Sequence, residues 1–141
     1  MPVTVRKLNL RKLNLQNEDP GWSNLKSAGF DPEALWRRVE GDPKLLRGLI
    51  AVFETEFPGM LAGATRAIEN HDGIQLERAA HKIKGALVQL SASGAAAVAV
   101  ELEQLGRSGT IAGASATLEK LKNEVQWLVG RLQLMSRGIQ E

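Results

Sequence analysis

The chain contains two histidines, and the residues around the second one, His81, are suited to nucleophilic chemistry. A neutral imidazole is a competent nucleophile near pH 7. Lys84 follows three residues later, which on a helix places its ammonium group one turn along the same face. A phosphoryl group carried by the imidazole would hold about two negative charges, and such a cation would stabilise it. Gly85 removes a side chain where a partner would have to approach closely.

His81 lies within a segment, residues 73–90, whose apolar residues recur with the period of a helix. On a wheel of about 100° per residue, the pole opposite His81 is apolar and consists of Leu76, Ala79, Ala80, Ile83, Ala86, Leu87 and Leu90. The spacing therefore predicts that His81 points away from the core. Its own side of the helix is shared by Glu77, Arg78, Lys84, Gly85 and Val88, of which Val88 offers an exposed apolar contact for docking.

Capping residues, prolines and turn segments along the rest of the chain predict the helices that must position this segment. Asp31-Pro32 and Asp42-Pro43 each combine an N-cap acid with a proline at the first helical position. Asp72 and Gln75 resemble a capping box before the His81 helix. Residues 91–94 and 106–115 are typical of helix connections. Pro58 falls inside the second apolar stripe, where we expect a kink.

These signals predict an all-α protein. A short helix at about residues 31–40 leads into four longer helices joined by short loops, a pattern that favours an antiparallel up-down-up-down four-helix bundle. We assign residues 29–137 to this bundle. We assign residues 1–28 to a basic arm or linker, in which residues 6–10 are repeated as residues 11–15. A basic arm that docks on a partner is the alternative for that segment.

Composition and charge exclude several classes of protein. Residues 1–30 carry five basic and two acidic residues, whereas the remainder carries thirteen and fourteen, so the folded part lacks the basic face that nucleic-acid binding needs. Cysteine is absent and the two histidines are not at ligand spacing, which argues against a metal site. No apolar run is long enough to span a membrane, and we expect a cytoplasmic protein. His71, in an Asn-His-Asp-Gly loop signal, is expected to be solvated.

The run Ala80-His81-Lys82-Ile83-Lys84-Gly85-Ala86 resembles the H-x-x-K-G signature of histidine phosphotransfer (HPt) domains. The similarity extends over about residues 30–135. Leu90-Ser91-Ala92 stands where the family often has Leu-Gly-Ala, and the segment 101–107 resembles the family's following helix with its Gly-Arg ending. Upstream, Asp42, Leu45, Leu46, Phe53 and Pro58 match the usual approach to the motif. Ser91 in place of glycine puts the geometry of that turn in doubt.

This resemblance implies a phosphorelay intermediate. His81 would accept a phosphoryl group from an aspartate on one receiver domain and pass it to another. Lys84 would stabilise the phosphorylated form, and Gly85 would permit the approach of the receiver. The chain itself would need no cofactor, because Mg²⁺ would belong to the receiver, and it would be a phosphocarrier without kinase activity. Its partners would be response-regulator receiver domains and a hybrid sensor kinase, and it would be a monomer.

The resemblance also points to two positions on the following helix, Glu103 and Arg107. Some family members have a glutamine at the first position that orients the imidazole, and an arginine at the second. A glutamate at 103 could accept a ring N–H and orient the ring, although it would also favour the protonated imidazole. Because Glu103 and Arg107 are four residues apart, we expect instead a surface ion pair of little consequence. Glu77 and Val88 are candidates for partner docking.

Three other functions are compatible with parts of the pattern. A helical interaction module without chemistry would tolerate replacement of His81. The dimerisation and phosphoacceptor region of a sensor kinase usually has an acidic residue after the histidine and a nearby proline, and residues 82–84 provide neither. A metal-dependent helical enzyme lacks paired ligands. Oligomeric state would separate the first two functions.

Overall fold

A computed structural model describes residues 29–138 of the chain. It contains five α-helices, α1 (Pro32–Arg38), α2 (Pro43–Glu69), α3 (Gly73–Gln89), α4 (Ser93–Ser108) and α5 (Ala114–Gly138), with a short 3₁₀ helix (Ile111–Gly113) before α5. No strand occurs within this range, so the predicted all-α class is confirmed. The predicted basic arm, residues 1–28 with its internal repeat, lies outside the described residues.

Three helices begin at the predicted acidic N-caps. The Asp31 carboxylate accepts a hydrogen bond from the Ala34 backbone N–H at 3.0 Å, and Asp72 accepts one from Gln75 at 3.1 Å. Asp42 accepts from Lys44 at 2.9 Å. Each cap satisfies an N–H group that has no partner within its own helix, and prolines occupy the first positions of α1 and α2. Local chemistry therefore determines where these helices start.

Helices α2 to α5 form the four-helix bundle, in which consecutive helices pack together and α5 packs back on α2. Gly73, at the start of α3, lies against Gly106, near the end of α4. Gln133 of α5 likewise donates to Glu54 of α2 at 3.1 Å. The short connections make consecutive helices antiparallel neighbours. The core between them consists mainly of Leu46, Ile50, Phe53, Phe57, Leu76, Ile83, Leu87, Val98, Leu102, Leu121, Val125, Leu128, Leu132 and Met135.

Helix α1 covers the end of the bundle at the α3–α4 connection. The Asp31 N–H donates to the Ser91 carbonyl and the Gly94 N–H donates to the Gly29 carbonyl, both at 3.0 Å. Gly29 has φ +94°, and a Cβ there would lie 2.4 Å from the Gly94 Cα, so this close approach requires glycine. The apolar side of the segment is buried against the bundle through Phe30, Leu35, Trp36 and Val39.

One predicted feature differs in the structure. The predicted connection at 106–115 is shorter, because α4 continues to Ser108 and ends at Gly109, which adopts the left-handed conformation at φ +75°. Helix α2 continues through Pro58, so the proline does not end the helix, and the expected kink there stays a prediction. The missing proline N–H costs one hydrogen bond, and the buried residues on both sides of it, Phe57 and Ala64 among them, hold the helix against the core.

Ser91 keeps the turn that the family usually builds with glycine. Its φ is +57°, and the Ser91 and Ala92 N–H groups donate to the carbonyls of Val88 and Leu87, both at 3.0 Å. This is the usual way for a helix to end in a left-handed residue. A non-glycine residue in that conformation costs on the order of 1 kcal/mol. His71 occupies the same position after α2, with φ +52°, and its side chain is exposed as predicted.

Candidate functional site

His81 lies in the middle of α3 on the exposed side of the bundle. Its side chain is 67% exposed, whereas Ala80 and Ile83 beside it are fully buried. The alternation follows from the helical period, since residues that point into the core recur every three or four positions. Helix α3 thus presents the imidazole to solvent on a backbone that the core holds in place.

The imidazole has a defined hydrogen bond to α4. His81 Nδ1 lies 2.7 Å from Glu103 Oε2. Because an ionised carboxylate can only accept, the Nδ1–H group must donate this bond. In the neutral ring, Nε2 then carries the free lone pair. The contact therefore selects one tautomer and leaves Nε2 as the atom that can attack an electrophile.

Glu103 is buried, and the prediction that it forms a surface ion pair with Arg107 is wrong. Its side chain is only 7% exposed, and its second oxygen, Oε1, accepts a hydrogen bond from Lys84 Nζ at 3.2 Å. One carboxylate therefore contacts both residues of the predicted motif. The signal in the sequence is its spacing on α4, since Glu103 recurs at three and four with the small residues Ala96, Ala99 and Gly106, all of which are buried.

The electrostatics of the site keep Glu103 ionised. Burial by itself would raise the pKa of Glu103, but the hydrogen bonds from His81 and Lys84, with the positive charge beside it, hold that pKa below its ordinary value. The site therefore contains a permanent anion at neutral pH, placed between the imidazole and the lysine. Removing either donor would leave a buried charge without its compensation.

Arg107 pairs with Glu77 rather than with Glu103. Its Nε donates to Glu77 Oε2 at 3.1 Å, which links α4 to α3 one turn before His81. Arg107 is 65% exposed and Glu77 35%, so the pair contributes less than about 1 kcal/mol to stability. Both residues nevertheless border the site.

The remaining predicted residues, Gly85 and Val88, lie on the solvent side of α3. Val88 is 49% exposed. A Cβ added at Gly85 would have no atom within 4 Å outside its own helix. Nothing in the isolated bundle therefore requires glycine at position 85, although glycine in a helix interior costs about 1 kcal/mol relative to alanine.

A close contact between two glycines, which the sequence did not reveal, brings α3 and α4 together. A Cβ on Gly106 would lie 2.5 Å from the Glu77 backbone nitrogen and 2.7 Å from the Gly73 carbonyl oxygen. The two helix backbones therefore touch one turn from His81. This approach allows a side chain as short as glutamate to reach both the imidazole and Lys84.

The charge of Glu103 makes the stability of the fold depend on pH. A lowered pKa means that the ionised form stabilises the fold; this contribution is complete above the ordinary value of 4.5 and is lost as the pH falls through the lowered pKa. We expect the free energy of unfolding to fall more steeply below pH 4.5 for the wild type than for Glu103→Gln. Chemical denaturation across the acid range measures this, and parallel profiles for the two proteins would contradict it.

Comparison with known proteins places these residues in a family. No curated protein and no solved structure matches the chain significantly. Among residues 29–138, no helix is long and apolar enough to cross a membrane. The family model of the Hpt domain matches residues 48–130, more than half of the chain, and the match includes His81, Lys84, Gly85 and Glu103. Such domains have a phosphotransfer role in two-component signalling and interact with receiver domains. The protein therefore belongs to the Hpt domain family.

Proposed function

We propose that this protein is a phosphorelay intermediate, in which Nε2 of His81 accepts a phosphoryl group from a receiver aspartate and passes it to another receiver. The observation that carries the proposal is the exposed imidazole whose Nδ1–H is held by Glu103 at 2.7 Å. A ring oriented in this way presents a lone pair to solvent, which is the geometry that an incoming phosphoryl group needs.

The transfer balances without proton movement on this chain. The Nε2–P bond forms as the P–O bond of the aspartyl phosphate breaks, and the aspartate leaves as a carboxylate on the receiver. The Nδ1 proton stays on the ring, so that the phosphorylated imidazole is cationic and Glu103 is its counter-ion. In the reverse direction the leaving group is a neutral imidazole, which departs more easily than an imidazolate. Glu103 is therefore a positioning residue in both directions.

Lys84 would stabilise the phosphorylated state. Its ammonium donates to Glu103 at 3.2 Å. Its side chain is 29% exposed, so the ammonium lies between the buried carboxylate and solvent. A lysine is a compact cation on a flexible stem. It can therefore turn from Glu103 to the phosphoryl oxygens when His81 is loaded.

Gly85 would allow the receiver to approach. Because a Cβ there meets nothing in the isolated bundle, internal packing does not explain this glycine. A receiver aspartate has to come within bonding distance of Nε2, and a side chain one turn along the same face would obstruct it. Val88 would supply an apolar contact beside the same approach.

The proposal assigns the catalytic machinery to the receiver. Mg²⁺ would be held there, and this chain would need no cofactor and would have no kinase activity of its own. We propose that it acts as a monomer in the cytoplasm, or on the cytoplasmic side of the membrane if it is part of a hybrid sensor kinase. Its partners would be that kinase and response-regulator receiver domains.

The proposal is tested by incubating the protein with a panel of phosphorylated receiver domains and recording its intact mass at alkaline pH. We expect one acid-labile phosphoryl group per chain and its return to a second receiver on mixing. Binding of a receiver without any mass change, across the panel, would instead support a helical interaction module without chemistry.

Replacing Lys84 by alanine should reduce the yield and lifetime of phosphohistidine while the fold is kept. The ammonium no longer offsets the charge of the phosphoryl group, and we expect a change on the order of tenfold in lifetime. Intact-mass spectrometry over time measures the loss, with circular dichroism as the check on folding. Lys122→Ala, on the exposed side of α5, is the control for removing a lysine. A Lys84→Ala protein that holds phosphate as long as wild type would exclude this role.

A further inference from the structure

A groove lies on the other side of His81, between α2 and α3. It has a volume of about 640 Å³, and Gly59 and Gly63 of α2 form part of its wall. Its basic residues are Arg66 of α2 and Arg78 and Lys82 of α3. We call it the basic groove. Lys82 is the chain neighbour of His81, and Arg78 lies one turn before it, so the groove begins directly beside the candidate site.

The three cations of the basic groove form no ion pairs within the described part of the chain. All three residues are exposed, and their side chains have no hydrogen-bond or ion-pair partner among residues 29–138. The groove also contains two carboxylates, but that of Asp72 caps α3 by accepting from the Gln75 N–H. The other, Glu56, forms no ion pair with them. The groove therefore offers unpaired positive charge next to His81.

The opposite side of His81, toward α4, offers no such charge. There the cation Lys84 is paired with Glu103 and the cation Arg107 with Glu77. A partner that covers His81 meets neutralised pairs on the α4 side and unpaired cations on the α2 side. The charges on this face therefore favour an acidic element placed over α2 and α3.

The two glycines of the groove leave its wall open. A Cβ at Gly59 or Gly63 would have no atom within 4 Å outside its own helix, so the isolated fold does not need glycine at either position. Each costs about 1 kcal/mol relative to alanine in a helix interior. They keep the groove wall free of side chains and so leave room for a side chain of a partner.

We propose that the basic groove receives an acidic surface segment of the receiver domain during phosphoryl transfer. This rests on the proposed function, which places a receiver over His81. A second copy of this chain does not suit the groove, because a symmetric contact would bring like charges together. The segment at residues 1–30, with five bases and two acids, has the wrong charge for the groove for the same reason.

The test uses the full chain and, from the panel, the receiver that exchanges phosphate with it fastest or, if none does, the one that binds it tightest. Arg66→Glu should weaken binding of the unphosphorylated receiver about tenfold and reduce the dependence of the affinity on salt. Half-maximal labelling of His81 should require correspondingly more phosphorylated receiver, as expected for a loss of binding. Lys122→Glu makes the same charge change on α5, the helix diagonal to α3, and should bind like wild type.

A second pair of variants tests the glycines. Gly59→Leu fills the groove and replaces glycine by a good helix former, so it should raise the melting temperature yet weaken receiver binding. Gly48→Leu, on the same helix but outside the groove lining, should raise the melting temperature without that loss, because nothing lies within 4 Å of a Cβ there either.

The outcomes separate the groove from the transfer chemistry. Unchanged receiver affinity in both Arg66→Glu and Gly59→Leu overturns the groove proposal. Weakened binding in these variants, with no phosphate on any protein including wild type, supports the groove and overturns the acceptor role of His81. A wild type that binds no receiver overturns both. If inorganic phosphate shifts the NMR signals of Arg66 and Arg78 while receiver affinity is unaffected by Arg66→Glu, the groove is a small-anion site and receiver docking is excluded.

Discussion

Replacing His81 by glutamine should abolish phosphoryl acceptance completely. Glutamine retains a side chain that can donate a hydrogen bond toward Glu103 but has no nucleophilic nitrogen, so the carboxylate remains compensated while the chemistry is removed. We expect intact-mass spectrometry at alkaline pH to show no added phosphoryl group after incubation with a phosphorylated receiver that labels wild type. The fold should be unaffected, because the side chain is 67% exposed.

His71 provides the matched control for that experiment. It is the other histidine of the chain, its side chain is exposed, and it lies in the α2–α3 turn, just before the N-terminus of α3. His71→Asn suits its left-handed backbone at φ +52° and should be labelled like wild type. Label on His81→Gln, or its absence from His71→Asn alone, would move the acceptor site away from His81.

Replacing Gly106 by alanine should destabilise the fold by about 3 kcal/mol, the upper end of what overpacking costs. The new Cβ would lie 2.5 Å from the Glu77 nitrogen and 2.7 Å from the Gly73 oxygen. Both are backbone atoms, so no change of side-chain rotamer can relieve the clash. Helices α3 and α4 would have to separate, which also withdraws Glu103 from His81. Chemical denaturation measures the free energy of unfolding, and phosphate acceptance should fall in the fraction that remains folded.

Gly85→Ala makes the same glycine-to-alanine change on α3, but we expect it to raise the stability of the fold rather than lower it. Since nothing lies within 4 Å of a Cβ there, alanine should stabilise the bundle by about 1 kcal/mol. Transfer from the receiver should nevertheless slow, because the methyl group stands where the partner approaches. Equal destabilisation by both substitutions would show that the Gly73–Gly106 contact is not the constraint described above, and undiminished transfer by Gly85→Ala would remove its proposed role.

The hydrogen bond between His81 and the buried Glu103 would also affect how readily His81 gains and loses a phosphoryl group. In the free protein Glu103 contacts both His81 and Lys84, so an incoming phosphoryl group would compete with Glu103 for the lysine. In the proposed mechanism, Glu103 would then remain as the counter-ion of the phosphorylated ring. One side chain would thus contribute both to the tautomer of His81 and to the balance between its phosphorylated and unphosphorylated states.

Much of the architecture was predictable from local patterns. Helix starts at Asp31, Asp42 and Asp72 follow from side chains that satisfy N–H groups two or three residues away. The solvent-facing position of His81 follows from the 3.6-residue period of the helix. The buried residues of α3 all lie on the apolar side that this period predicts, and His81 lies on the opposite side. These features depend on residues within about one helical turn of each other, and such neighbours can be identified directly from the sequence.

The partner of His81 could be decided only by the tertiary structure. Glu103 is 22 positions away in the chain, and its spacing to Arg107 favoured a local surface pair that does not form. Which pair forms depends on the distance and register between α3 and α4. Those are set by the backbone contact of Gly73 with Gly106, between residues of separate helices. The sequence thus determined the helices and the exposed position of His81. Helix packing decided which carboxylate contacts the imidazole, because that choice depends on distances between segments that no local pattern records.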